Sequence, residues 1–186
     1  ATLIERASKI AEQLAGRPLI RQASITEYPT HTPPRSRWMY LSVFPIESIT
    51  SIKELYVPST DAEFTAETAL DDIESVSNGD YFVDAARGKV ERINAKWYLR
   101  PRCVQVIYVG GYYDPSGSAP NGDATAPPKD LQHGVLQQAI RMFQTKDTAG
   151  LRQIDLGAQG GSVSLAEAKP HPALVDACQA LRRVTL

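Results

Sequence analysis

Residues 103–109, Cys-Val-Gln-Val-Ile-Tyr-Val, make an apolar run rich in β-branched side chains and too short for a core helix. Such a run reads as a strand covered on both faces, and Trp38–Val43 reads the same way. Helical periodicity occurs before and after this β-rich stretch rather than alternating with its strands. That order predicts an α+β fold and not a doubly wound one. The expected architecture is a small helical bundle, made of an N-terminal helix, a long second helix and a C-terminal helix, with an inserted antiparallel β-rich module. All of 1–186 reads as a single domain.

The first helix is expected over 1–16, with Leu3, Ile4, Ala7, Ile10, Ala11 and Leu14 as one apolar stripe. Thr2 and Glu5 have the spacing of a capping box, Gly16 suits the left-handed closing position, and Pro18 prevents continuation. The β-rich module is expected over 19–113. Its strands are Ile20–Tyr28, Trp38–Val43, Ser51–Val57, Tyr81–Asp84, Lys89–Ile93 and Cys103–Val109, with tight turns at Ser77–Asp80 and Ala86–Lys89. Thr30–Arg37 is a Pro-rich loop, and the acidic 59–75 segment holds a short helix near Glu67–Ile73.

Residues 114–127 are rich in Pro, Gly, Ser, Asn and Asp and form a loop. A second helix is expected over 128–147, burying Leu131, Val135, Leu136, Ala139, Ile140 and Phe143. An extended, Gly-interrupted arm follows over 151–169, with Leu151, Ile154, Leu156, Val163 and Leu165 spaced along it. Such arms reach for a neighbouring subunit and order on contact. The last helix is expected over 171–184, with Leu174, Ala177, Cys178 and Leu181 inward and Arg182 and Arg183 in its last turn, where the dipole favours cations.

Charge and chemistry narrow the function. Twenty Lys and Arg face 21 Asp and Glu, a net charge of -1, so the chain lacks the cationic surplus of a general nucleic-acid binder. No apolar run approaches the length of a membrane span, and no signal peptide is visible. The sequence opens on Ala1, as expected of a chain from which a short leader is missing or cleaved. Cys103 and Cys178 read as buried free thiols. No nucleophile elbow, phosphate loop or dinucleotide fingerprint is present. Gly157–Gly161 is Gly-rich, but it follows no clear strand and opens no helix.

His31, His133 and His171 are too scattered for a metal site, and read as exposed or capping residues. Asp71, Asp72 and Glu74 lack the glycine spacing of a calcium loop and read as a solvated acidic face. Trp38, Trp97, Tyr112 and Tyr113 could offer a stacking platform, but aromatic residues in sheets more often serve core and cross-strand pairs. No catalytic, metal or cofactor residue is therefore expected.

Several short motifs, taken in order, resemble a known family. They are Leu14-Ala15-Gly16-Arg17, Thr26-Glu27-Tyr28, Pro45-Ile46-Glu47-Ser48-Ile49-Thr50-Ser51-Ile52 and Asp80-Tyr81-Phe82-Val83-Asp84 through Gly88-Lys89-Val90. Val104-Gln105-Val106-Ile107-Tyr108-Val109-Gly110-Gly111-Tyr112 follows, then Pro128-Lys129-Asp130-Leu131 and Leu181-Arg182-Arg183. The series resembles the gp6-like head-to-tail connector, or adaptor, proteins of tailed bacteriophages and spans nearly the whole chain.

The resemblance implies a non-enzymatic virion protein of the neck, made in the host cytoplasm. It implies a dodecameric ring beneath the portal that extends the DNA channel and offers a platform to a stopper, tail-terminator or other tail protein. DNA would pass without sequence-specific binding, with no membrane and no cofactor involved. The C-terminal tip, Leu181, Arg182, Arg183, Val184 and Leu186, is expected to dock on the portal, and Leu151, Ile154, Leu156, Val163 and Leu165 to reach between subunits. The competing readings are a β-rich carbohydrate- or protein-binding accessory module of a phage particle, and a hydrolase of unseen type.

Overall fold

The computed structural model describes residues 3–30, 36–55, 57–66, 68–70, 79–93, 95–98, 100–114, 120, 124–144, 153–155, 162–164 and 169–182. They form an α+β fold in two compact units, Pro18–Pro127 and Ala1–Arg17 with Pro128–Leu186.

In the helical unit, helix α1 (Leu3–Ala15), α3 (Lys129–Gln144) and α4 (Pro172–Leu181) pack on one another. Helix α1 meets its neighbours through Ala7, Ala11 and Ala15, while Ile4 stays 58% exposed. Small side chains allow close approach, and the Cys178 thiol donates to the Ala11 carbonyl at 3.5 Å. Gly16 closes α1 at φ +68°, with Gly16 N–H bonded to Gln13 O and Arg17 N–H to Glu12 O, a Schellman closure. Thr2, half of the expected capping box, lies outside the described residues. The segment expected as a strandless arm instead carries an antiparallel ribbon, β7 (Gln153–Asp155) with β8 (Ser162–Ser164), pairing Ile154 with Val163.

The expected buried face of α3 needs correction. Leu131 and Ala139 are buried, but so are Gly134 and Gln138, whereas Leu136, Ile140 and Phe143 are 52%, 41% and 56% exposed and Val135 is half-buried. The cause is close packing on α4. A Cβ on Gly134 would lie 2.8 Å from Leu174 Cα, so glycine lets the two backbones approach. Gln138 Oε1 accepts the His171 N–H at 2.7 Å, which satisfies a polar group turned inward.

In the β unit, β6 (Val104–Gly110) lies between β1 (Gln22–Glu27) and β3 (Ile46–Glu54), all antiparallel. The apolar run Cys103–Val109 thus supplies the central strand. A second antiparallel sheet has the order β2 (Trp38–Tyr40), β5 (Lys89–Arg92), β4 (Tyr81–Asp84). Met39, Val90 and Tyr81 from this sheet share one core with Ile46, Ile52, Val104, Val106 and Tyr108 from the other, and Trp97 is fully buried among them. Strand β3 begins at Ile46, five residues before the expected start, because Ile46 already pairs with Gly110.

Helix α2 spans Asp61–Ala66. Thr60 and Glu63 form its capping box, Thr60 Oγ1 donating to Glu63 Oε2 at 3.0 Å and accepting the Glu63 N–H at 3.4 Å. The short helix expected near Glu67–Ile73 is not found at residues 68–70, and the rest of that span lies outside the described residues. The Ala86–Lys89 turn is a 3₁₀ turn, Ala85–Arg87, ended by Gly88 at φ +63°.

Candidate assembly surface

The motifs that carry the resemblance have structural work within their own units. Glu27 accepts the Ser42 N–H at 2.9 Å, the Ser42 hydroxyl at 2.8 Å and the Tyr108 hydroxyl at 2.7 Å. Tyr108 in turn accepts the Val43 N–H at 3.1 Å. Burial, and then the Glu27 carboxylate, push the Tyr108 hydroxyl well above its ordinary range. Glu47 holds Arg21 by two hydrogen bonds, at 2.5 and 2.9 Å. Gly88 lies under Phe44, and Gly111 sits at φ +98° where a Cβ would meet Ile20 O at 2.7 Å. In the helical unit, the Gly16-Arg17 step closes α1, and Arg17 Nε donates to the Leu181 carbonyl at 3.3 Å, placing a cation at the C-terminus of α4.

Among the described residues of each unit, the candidate chemical groups do not converge. His171 caps α4 by accepting the Ala173 N–H at Nδ1, 3.2 Å away, His133 is exposed, and His31 lies outside the described residues. Cys103 and Cys178 are buried free thiols, and burial pushes both above the ordinary thiol range, so neither is an activated nucleophile. Asp71, Asp72, Glu74 and Gly157–Gly161 lie outside the described residues. Among the described residues no group of acidic, histidine or cysteine side chains could hold a metal ion, and no helix is long and apolar enough to cross a membrane.

The aromatic platform is dispersed as well. Trp97 is core, its indole N–H donating to Val90 O at 3.3 Å, whereas Trp38 is exposed beneath Lys89. One polar cluster gathers at Tyr28, whose hydroxyl donates to Asp61 and accepts from Gln105 at 2.9 Å. Arg102 lies over the Tyr28 ring at 4.6 Å and reaches Asp61 at 2.7 Å. The Tyr28 and Arg102 hydrogen bonds pull the Asp61 carboxyl below its usual range. These bonds fasten α2 to the sheet.

What the helical unit offers is surface. Leu136, Ile140 and Phe143 follow one another at i, i+4 and i+7 on the outer side of α3, a stripe of three large apolar residues. An open cleft of about 420 Å³ adjoins it, lined by Gln137, Ile140, Arg141, Gln144, His171 and Pro172. Of the residues expected to dock or to reach a neighbour, Leu181 is half-buried and Arg182 is exposed beyond the last turn of α4, its N–H bonded to Gln179 O. Ile154 and Val163 pair in the β7–β8 ribbon. Arg183, Val184, Leu186, Leu151, Leu156 and Leu165 lie outside the described residues. Apolar spacing does not separate the outer from the inner side of α3; Gly134, which marks the side that meets α4, is the signal in the sequence that does.

The architecture recurs in solved structures. One is described as the neck of a native GTA particle computed with C12 symmetry, with 16% identity and a TM-score of 0.52, covering 99% of this chain and 81% of that one. Another is the neck of an empty GTA particle computed with C6 symmetry, again at 16% identity and a TM-score of 0.52, covering 99% of this chain and 77% of that one. The likeness shows a shared fold across the whole chain. No protein-family model and no curated protein matches the sequence.

Proposed function

We propose that this chain is a structural neck protein of a phage-like particle, acting without catalysis as one subunit of a homo-oligomeric ring. The carrying observation is the fold shared along 99% of the chain with proteins of the neck of GTA particles, which were computed with cyclic symmetry. The exposed stripe on α3 supports an assembling subunit, because a helix of a solitary domain normally turns such residues inward. In its finer form the proposal is a gp6-like adaptor: a dodecameric ring beneath the portal, in the virion neck, extending the DNA channel and receiving a stopper or tail protein. Near-neutral charge suits a conduit through which DNA slides.

Deleting the gene in the particle-producing host tests the role. DNA-filled heads without tails are expected, and complete tailed particles would contradict it. The C-terminal tip from Leu181 to Leu186 is the proposed portal contact, and the 151–169 segment the proposed reach between subunits. Removing Arg182–Leu186 should abolish capture by purified portal while leaving the melting temperature of the free chain nearly unchanged. Capture at undiminished affinity would move the contact elsewhere.

A further inference from the structure

We infer that the α3 stripe Leu136–Ile140–Phe143 is one half of a head-to-tail contact between copies of this chain, and that the other half is the α1 surface around Ile4. The inference rests on the proposed function and names the contact by which the ring would close.

Among the described residues, the stripe and Ile4 are the exposed large apolar residues of the helical unit, on two different helices of the same body. A two-fold dimer uses one patch twice. A cyclic ring needs two different patches, each covered by the other on the next copy. The necks that share this fold were computed with C12 and C6 symmetry, which calls for the second arrangement. Size points the same way. Three half-exposed side chains cover far less than the roughly 1,000 Å² or more of a stable interface, so a single contact is weak. In a closed ring every copy makes the contact twice, and the last contact is intramolecular, so weak pairs add to a firm ring.

Composition agrees with a covered face. The acidic residue of α3 is Asp130 in its first turn, and from Leu131 to Gln144, the length that carries the stripe, the helix has none. A second copy accounts for both patches together.

Two variants of the full chain separate the outcomes. Leu136→Gln with Ile140→Gln removes the stripe, and Ile4→Gln removes its counterpart. Both change exposed positions, and thermal melting checks that each variant is folded. Sedimentation equilibrium from micromolar to millimolar should show concentration-dependent association of the wild type, weakened at least tenfold in either variant alone. In a mixture, the Ile4 variant still has an intact stripe and the stripe variant an intact α1 surface. The mixture should therefore regain one contact, forming 1:1 pairs at wild-type affinity that grow no further.

Variants that associate like the wild type would overturn the inference, as would a wild type that remains monomeric at millimolar concentration. A mixture without pairs would overturn the pairing of the two patches. None of these results touches the neck assignment, which fails separately if gene deletion leaves complete tailed particles.

Discussion

At the scale of single residues, Tyr108 fixes one corner of the β unit. Its hydroxyl bridges Glu27 on β1 to the Val43 amide, and its ring is fully buried. Tyr108→Phe leaves the Val43 N–H without its acceptor and removes one donor from Glu27. The expected cost is about 1–3 kcal/mol in urea unfolding at neutral pH. The pH dependence follows from the raised hydroxyl pKa. Below pH about 10 both folded and unfolded chains keep the proton. Above it the unfolded chain releases the proton while the folded chain holds it, so this contribution falls as pH rises. The gap between wild type and Tyr108→Phe should therefore narrow between pH 8 and pH 11, and a constant gap would contradict the bridge. Val-Xaa-Val-Xaa-Tyr was legible as a strand, yet nothing in it announced that its tyrosine would meet Glu27, because that contact joins residues 81 positions apart.

Among elements, α3 shows where periodicity runs out. Leu131, Val135, Leu136, Ala139, Ile140 and Phe143 make a broad apolar arc, and periodicity alone assigns the whole arc inward. Packing assigns only part of it. Gly134 brings α4 to contact distance, which turns Leu131, Gln138 and Ala139 inward and leaves the far side of the arc exposed. Gly134→Ala makes this concrete. Alanine favours an isolated helix by about 1 kcal/mol, but here the added methyl would press on Leu174 backbone at 2.8 Å. The steric term should win, with a net loss of about 1–3 kcal/mol. A stabilised variant would show that the helices are not in close contact.

Tyr81–Asp84 was legible from its β-branched and aromatic content and its following Gly turn, and it is β4. Helix α2 starts at Asp61, before the span where a helix was expected, because the Thr60–Glu63 capping box opens it there. The strand-like content of Gln153–Asp155 and Ser162–Ser164 was hidden by flanking glycines, and only pairing of the two segments makes it a ribbon.

For the whole molecule, the sequence carried the plan further than it carried the surface. Helical periodicity at the two ends and strand content between them led to an α+β fold, and the chain indeed forms a helical unit from both ends and a β unit from its middle. The candidate assembly surface was not legible, since a stripe bound for a neighbour has the same apolar spacing as one bound for the core. The central claim, a subunit of a neck ring, is tested most directly by electron cryo-microscopy of intact particles from the producing host, with the head–tail junction reconstructed without imposed symmetry. A closed ring of identical copies of this chain is expected at that junction, with α3 of each copy against α1 of the next. A junction built entirely from other proteins, with this chain found elsewhere in the particle or not at all, would contradict it.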